Sequence, residues 1–381
     1  MIVAAVFAYV PLAIWLYLLL GRGFYWRARE RDDNEDPSGA LEHWPSVVAV
    51  VPARNEADLI AHSLGSLLRQ DYPGPFRIIL VDDESDDGTA EIARGLDDRN
   101  RLTIISGTKP PALWTGKLWA NAQGTAFAAK SEPDYLWLTD ADILHTADNL
   151  RHLVARAEKK QLVLVSLMAK LRCESFAERA FIPAFVYFFQ MLYPFRWVNE
   201  SGNKTAAAAG GCMLVRRKAL EATGGISSIR SEIIDDCALG RLMKALGPIW
   251  LGLTSRAVSL RPYPGVDDIR RMVARSAYAE LDYSPLLLGG TLAGLALTFF
   301  MAPLWTIIGS GVSRFAALTA WTLMALSIQP MLRFYGRSPL WGIALPLTAF
   351  AYAAFTFDSA LQYWRGRGGT WKGRYQASAH R

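Results

Sequence analysis

The sequence predicts an α/β fold: a mostly parallel sheet flanked by helices, with an N-terminal transmembrane anchor and C-terminal transmembrane helices. Three observations predict it. From about Ser46 to Pro262, β-rich apolar runs alternate with segments of helical spacing. Met1–Gly21 carries no charge. Three more uncharged runs, Leu286–Thr306, Phe315–Leu332 and Ser338–Phe357, crowd the last hundred residues and account for much of the 51% hydrophobic content.

The first run is long enough to cross a bilayer as a helix at 1.5 Å per residue. It lacks a basic n-region and a small-residue cleavage site, so a retained anchor over residues 1–21 is expected rather than a signal peptide. A charged linker, residues 22–45, follows. Residues 46–262 form the α/β domain, residues 263–285 an amphipathic connector, and residues 286–359 two to three membrane helices. A basic tail, "YWRGRGGTWKGRY", lies within residues 360–381. Arg22, Arg27 and Arg29 after the first run, and Arg333 and Arg337 between the last two, favour the cytoplasmic side for those loops. Four full spans would carry the basic tail to the opposite side, so one late segment is expected to be re-entrant or interfacial. The net charge of +6 comes with no clustered nucleic-acid motif. Cys173, Cys212 and Cys237 form no CxxC pair, which fits a reducing compartment and argues against zinc.

Within the domain, "SVVAVVPARN" reads as the first strand. "EADLIAHSLGSLLRQ" reads as a helix with Leu59, Ile60, Leu64, Leu67 and Leu68 on one face. "FRIILVDDES", "RLTIIS", "YLWLTDAD" and "QLVLVSLMA" read as further strands, with helices between them. Continuously apolar strands between helices imply a sheet covered on both faces. Such sheets bind ligands beyond the carboxyl ends of their strands. Neither GxGxxG nor GxxxxGK[ST] is present, so the nicotinamide and P-loop signatures are missing.

Acidic pairs occupy those strand ends. Asp82 and Asp83 follow four apolar residues. Asp86, Asp87 and Gly88 beside them suit either a helix cap or a site. Asp140 and Asp142 end "YLWLTDAD". In an extended segment their side chains would share one face and could hold a hard divalent ion with room for phosphate oxygens. Asp235 and Asp236 precede "CALGRLMKALG", where either could cap the helix and Asp236 could serve as a general base. Lys117 opens another helix, within reach of a phosphate or simply at the surface. The small residues Ala206–Gly211 permit close approach to the backbone. "CESFAERAFIPAFVYFFQMLYPFRW", residues 173–197, is unusually aromatic, and Pro183 and Pro194 argue against one straight helix. It reads as an interfacial segment at the entry for a lipid, or as a core helix.

Taken in order, "VVPARNEADLIAHSLGSLLRQDYP", "ILVDDESDDGT", "GKLWA", "LTDAD", "GGCMLVRRKALEATGG" and "IIDDCALGRLMKALG" resemble family-2 inverting glycosyltransferases of the GT-A fold. "LRCESFAERAFIPAFVYFFQMLYPFRWVN" and "GGISSIRSEIIDDCALGR" look like the hopene-associated (HpnB) group of that family. The resemblance implies transfer of one sugar from a nucleotide-diphosphate sugar, UDP-sugars favoured, to a membrane lipid hydroxyl such as a hopanoid. It implies Mg²⁺ or Mn²⁺ as cofactor and a bacterial inner-membrane enzyme facing the cytoplasm. Asp82 or Asp83 would contact base and ribose. Lys117 would lie near the nucleotide. Asp140 and Asp142 would bind the metal, Asp142 more directly, and Asp236 would activate the acceptor. Family members often carry [Q/R]xxRW; here "MVARS", Met272–Ser276, lacks the Trp, which disfavours a processive synthase. Arg271 and Arg275 are then the expected diphosphate contacts, with Arg270 beside them. A polyprenyl-phosphate glycosyltransferase and a non-catalytic scaffold are the alternatives.

Overall fold

The computed structural model describes residues 2–34, 41–96, 100–369 and 372–373. The middle of the expected linker, residues 35–40, and parts of the basic tail, residues 370–371 and 374–381, lie outside the described residues.

One eight-stranded sheet organises the domain: β1 (Val47–Ala53), β2 (Phe76–Asp82), β3 (Leu102–Ser106), β4 (Tyr135–Thr139), β5 (Ile143–His145), β6 (Leu164–Lys170), β7 (Cys212–Arg216) and β8 (Ile249–Ser259). Their order is β3-β2-β1-β4-β7-β6-β8-β5. The β1–β2, β2–β3, β1–β4 and β6–β8 pairs are parallel. The β4–β7, β6–β7 and β5–β8 pairs are antiparallel. The sheet is therefore mixed, and the expectation of a mostly parallel one is corrected. The cause is physical: an uninterrupted apolar run reports burial on both faces, not direction. β7 is such a run, buried from Cys212 to Val215, and it runs backwards between β4 and β6.

Alternate residues along the strands feed two cores. Val48, Val50, Ile79, Val81, Leu136 and Leu138 face one side, which also takes residues of the helices Gly116–Ala129, Phe176–Leu192 and Asp235–Leu246. Val47, Ala49, Val51, Ile78, Leu80 and Trp137 face the other, against the helices Ala57–Leu68 and Asn149–Lys159. This is the period-two alternation of a strand covered on both sides. Gly124 sets the depth of the 116–129 helix. A Cβ there would lie 2.4 Å from Val50 Cγ1 and 2.8 Å from Val81 Cγ2. The helix thus rests directly on β1 and β2, with its first turn, which includes Lys117, toward the strand ends.

The N-terminal anchor is also corrected. The helix Ile2–Leu20 packs into a bundle with the C-terminal helices. Trp15 is fully buried, donates Nε1–H to the Thr298 carbonyl at 2.9 Å and meets Phe299 edge-on. Over its described side chains, Ala8–Leu20, it is shorter than a membrane span. Absence of charge had marked a lipid-like environment, and other helices supply part of it: Ala8, Trp15 and Leu18 are buried, whereas Tyr9, Leu16, Tyr17 and Leu20 are exposed. Among the described residues, Pro285–Ile308 and Gly311–Phe334 are long and apolar enough to cross a membrane. Leu286, Ile307, Val312 and Phe315 are exposed on them. The third late run contributes the helix Leu345–Trp364, which packs on the domain instead. Asp358 there pairs with Arg270 of the helix Val266–Ala274, and Tyr352 Oη donates to the Phe181 carbonyl at 3.0 Å.

Most of the aromatic segment is one helix, Phe176–Leu192, that accommodates Pro183; it ends before Pro194, where a short helix, Phe195–Asn199, begins. Its start is fixed by Ser175 and Glu178, each bonding the other's backbone N–H. Glu178 also accepts from Tyr263 N–H at 2.7 Å, which fastens residues 260–263 to the helix. Tyr187 in mid-helix joins Tyr25 at 3.0 Å and Ser327 at 2.6 Å, linking three parts of the chain.

Gly124→Ala tests the seating of the 116–129 helix. Alanine's better helix propensity is worth about 1 kcal/mol. A methyl group 2.4 Å from Val50 brings overpacking of about 1–3 kcal/mol, so the expected net change is a lower unfolding midpoint in detergent. An unchanged or raised midpoint would mean the helix can lift off the sheet.

Candidate active site

The carboxyl ends of β1, β2 and β4 lie at one edge of the sheet because these strands are parallel. Antiparallel β7 begins at that edge, where Thr139 pairs with Cys212. Thr139 Oγ1 donates to the Gly211 carbonyl at 2.8 Å. The small-residue stretch before β7 is thereby delivered beside Asp140. Two inter-strand spacings put the ends of β2 and β4 about 10 Å apart, a span suited to an extended nucleoside diphosphate.

At the end of β2, Asp83 is fully buried and 3.8 Å from Arg54 Nη1. Asp82 is half-buried, and its Oδ1 is shielded from solvent with no hydrogen-bond partner. Asp87 takes the capping role: it accepts from Ala57 N–H at 2.9 Å and Thr89 N–H at 3.0 Å.

Asp140 and Asp142 differ from the expectation. They lie in a turn between β4 and β5, not in an extended segment, and Ile143 N–H reaches back to the Asp140 carbonyl. Their carboxylates therefore meet different cations. Lys117 Nζ is 2.9 Å from Asp140 Oδ1 and 3.3 Å from Asp235 Oδ2. Arg261 Nε donates to Asp142 Oδ2 at 2.8 Å. Asp236 Oδ2 accepts from Gly210 N–H at 2.9 Å, and Oδ1 from Cys237 N–H at 2.8 Å. A Cβ on Gly210 would sit 3.3 Å from Lys117 Nζ and 3.4 Å from Asp236 Oδ2, so the missing side chain lets both close over the backbone. Lys117, Asp140, Asp235 and Asp236 thus come together as one cluster.

The electrostatics follow from this crowding. Burial opposes the charge of Lys117, but Asp140 and Asp235 outweigh it and raise its pKa above the ordinary lysine value. Burial pushes the Asp140 carboxyl up against the pull of Lys117, and Asp142 and Asp235 add to the rise. Burial and the neighbouring Asp235 push Asp236 to about 6, with Lys117 and the two backbone N–H groups opposing. Beneath the turn, His145 is held neutral by burial, its pKa pushed down to about 3.

Three members of the site escaped sequence reasoning. Arg261 bridges Asp142 and buried Glu56, with Nη2 2.7 Å from Glu56 Oε1. Asp142 and Glu56 outweigh the burial that opposes the Arg261 charge. Lys372, from the basic tail, reaches Glu56 Oε1 at 2.8 Å and the Asn55 carbonyl at 2.9 Å. Only the position of Glu56, just past the first strand, could have pointed to any of them. By contrast Arg271 is exposed and pairs with Asp267 and Asp268 of its own helix, and Arg270 is taken by Asp358. Arg275 lies nearer the site: its charge acts on Tyr263, which also feels Arg261, Asp142 and Asp140.

Residues 48–224 match the family profile described as Glycosyl transferase family 2. The probable glycosyltransferase YdaM of Bacillus subtilis is 26% identical over 190 residues, covering 49% of this chain and 44% of the relative. The 4,4'-diaponeurosporenoate glycosyltransferase of Staphylococcus aureus (strain USA300) is 26% identical over 200 residues, covering 51% of this chain and 50% of the relative. The chain thus spans about half the length of these curated relatives. Among solved structures, the mannosyltransferase PcManGT from Pyrobaculum calidifontis, in complex with GDP-Man and Mn²⁺, superposes with a TM-score of 0.55. Its sequence is 20% identical, and the match covers 92% of this chain and 99% of that one. That likeness is one of fold. The ends of β1, β2 and β4 and the acidic turn thus lie inside the stretch, residues 48–224, that matches the family-2 glycosyltransferase profile.

Proposed function

We propose that this protein moves one sugar from a nucleotide-diphosphate sugar to the hydroxyl of a membrane lipid, with inversion and with a divalent metal. The observation that carries the reading is the charge balance at the sheet edge. Five carboxylates, Asp140, Asp142, Asp235, Asp236 and Glu56, face three cations, Lys117, Arg261 and Lys372. A surplus of two negative charges suits one divalent ion. Magnesium-type ions take one or two protein carboxylates and complete their shell with phosphate oxygens and water. Asp142 and Asp140 would hold it, and when bound it would neutralise the departing diphosphate.

The chain's own residues have separable tasks. Asp82 Oδ1 and Asp83 Oδ1 both lack a hydrogen-bond donor, which a nucleoside offers; half-buried Asp82 is favoured over fully buried Asp83 as the contact to ribose or base because it is the one a ligand can reach. Lys117 orients Asp140 and Asp235 and lies where the diphosphate would pass. Arg275 is a second diphosphate contact, and Arg271 a peripheral one. Asp236, held by Gly210 and Cys237, would take the proton from the acceptor hydroxyl as its oxygen attacks the anomeric carbon opposite the leaving group. The exposed apolar helices beside the domain support a lipid acceptor, and the basic loops support the cytoplasmic face of a bacterial inner membrane. Within this reading, a hopanoid or related polyisoprenoid is the acceptor to try first.

One observation favours a second reading, a lipid phosphate as acceptor. Lys170 ends β6 at the same edge of the sheet, and burial together with Arg31 and Arg337 lowers its pKa. An anionic acceptor would relieve that repulsion and would need no base.

Asp236→Asn separates the two. A hydroxyl acceptor predicts a fall in kcat of about 100-fold or more, whereas a nearly unchanged rate would favour the phosphate. Because Asp236 must be ionised to act, the wild-type rate should fall as pH drops below about 6. Lys117 lowers the Asp236 pKa, so Lys117→Met should move this acid limb to higher pH; a shift downward would exclude Asp236 as the titrating group. Asp142→Ala should abolish the dependence of nucleotide binding on Mn²⁺ or Mg²⁺, measured by calorimetry. The decisive experiment is a screen of UDP- and GDP-sugars against membrane lipid extract, read by mass analysis. No glycolipid with any donor, and no metal-linked nucleotide binding, would sink the proposal.

A further inference from the structure

Arg261 is placed unlike an ordinary structural ion pair. It follows β8 directly, and the preceding Leu260 N–H donates to the Asp142 carbonyl at 2.8 Å. Its guanidinium spans Asp142 Oδ2 at 2.8 Å and Glu56 Oε1 at 2.7 Å. Both carboxylate side chains are nearly shut off from solvent, at 11% and 8% exposure, whereas that of Arg261 is 34% exposed. Glu56 has a second cation in Lys372 and does not depend on Arg261 for neutralisation. Arg261 alone supplies Asp142's ion pair among the described residues. The backbone beneath is pinned by Tyr263 N–H on Glu178. The side chain can turn while the loop stays.

A carboxylate oxygen that accepts a guanidinium N–H cannot offer the same lone pair to a metal ion, and two cations on one carboxylate repel. Guanidinium is also the side chain best shaped for phosphate oxygens, through a planar fork of N–H donors.

We propose that Arg261 is the resident cation of the donor site: it holds Asp142 while no divalent ion is bound, yields it to the ion, and then turns onto the donor's diphosphate with Glu56 as its pivot. The inference rests on the metal and nucleotide reading above and adds an order to it. Arg261 and the ion exclude one another at Asp142 Oδ2. Arg261 and the nucleotide favour one another once Nε is released from Asp142, while Nη2 stays on Glu56. Lys372 stays paired with Glu56 throughout.

The test uses the full chain in detergent, with Mn²⁺ alone and then UDP or GDP at saturating Mn²⁺, both followed by calorimetry. For Arg261→Gln, Mn²⁺ without nucleotide is expected to bind about fivefold more tightly than to the wild type. The nucleoside diphosphate with Mn²⁺ is expected to bind about tenfold more weakly. A merely structural residue would weaken both or change neither, and either result overturns the proposal. Arg261→Lys retains the charge but not the fork, and serves if the glutamine variant does not fold: the nucleotide should still weaken, and Mn²⁺ should tighten less. If the wild type binds both ligands and Arg261→Gln leaves Mn²⁺ affinity unchanged, this inference alone falls. If the wild type binds neither Mn²⁺ nor any nucleotide, the donor reading falls and takes it along.

Discussion

The site depends on one compensation: the ammonium of Lys117 set between Asp140 and Asp235, with Asp236 close by. Carboxylates gathered at the end of a buried sheet repel one another and resist losing water. Without a cation among them they would protonate or spread apart. The fold supplies that cation by mechanical means. Gly124 lets the 116–129 helix lie flat on β1 and β2, and Gly210 leaves room for Lys117 and Asp236 to close over β7's approach. Two missing side chains thus set where a charge stands.

The same principle explains the second half of the site. Asp142 and Glu56 are brought close by segments far apart in sequence and are joined by Arg261. Lys117 and Arg261 divide the acidic turn between them, one carboxylate each. The turn geometry makes this division possible, since two extended same-face carboxylates would have shared one partner. What emerges is a strip of alternating charge along the sheet edge, negative in excess, and cushioned below by a neutral histidine.

Much of this was legible in the sequence, and the failures have physical causes. Strand positions could be read because burial on both faces leaves uninterrupted apolar runs, as in Val47–Ala53 and Tyr135–Thr139. The direction of β7 could not, since direction leaves no trace in hydrophobicity. Asp82, Asp140, Asp142, Asp235 and Asp236 stood out because acids rarely end apolar strands or gather beside them. Arg261, Glu56 and Lys372 did not, because each is unremarkable locally and gains meaning only from partners two hundred to more than three hundred residues away. Arg270 and Arg271 illustrate the converse: two arginines in a suggestive motif are taken up by Asp358, Asp267 and Asp268. The first apolar run misled because a lack of charge suits a helix bundle as well as a bilayer, and Trp15 buried against Thr298 and Phe299 belongs to the bundle.

The contact between Lys372 and Glu56 has a topological consequence. Glu56 leads out of the first strand and Lys372 lies beyond the last helix, yet they touch. If Pro285–Ile308 and Gly311–Phe334 cross a bilayer, they must do so as a pair that returns the chain to the side of the domain, with only Gly309 and Ser310 between them.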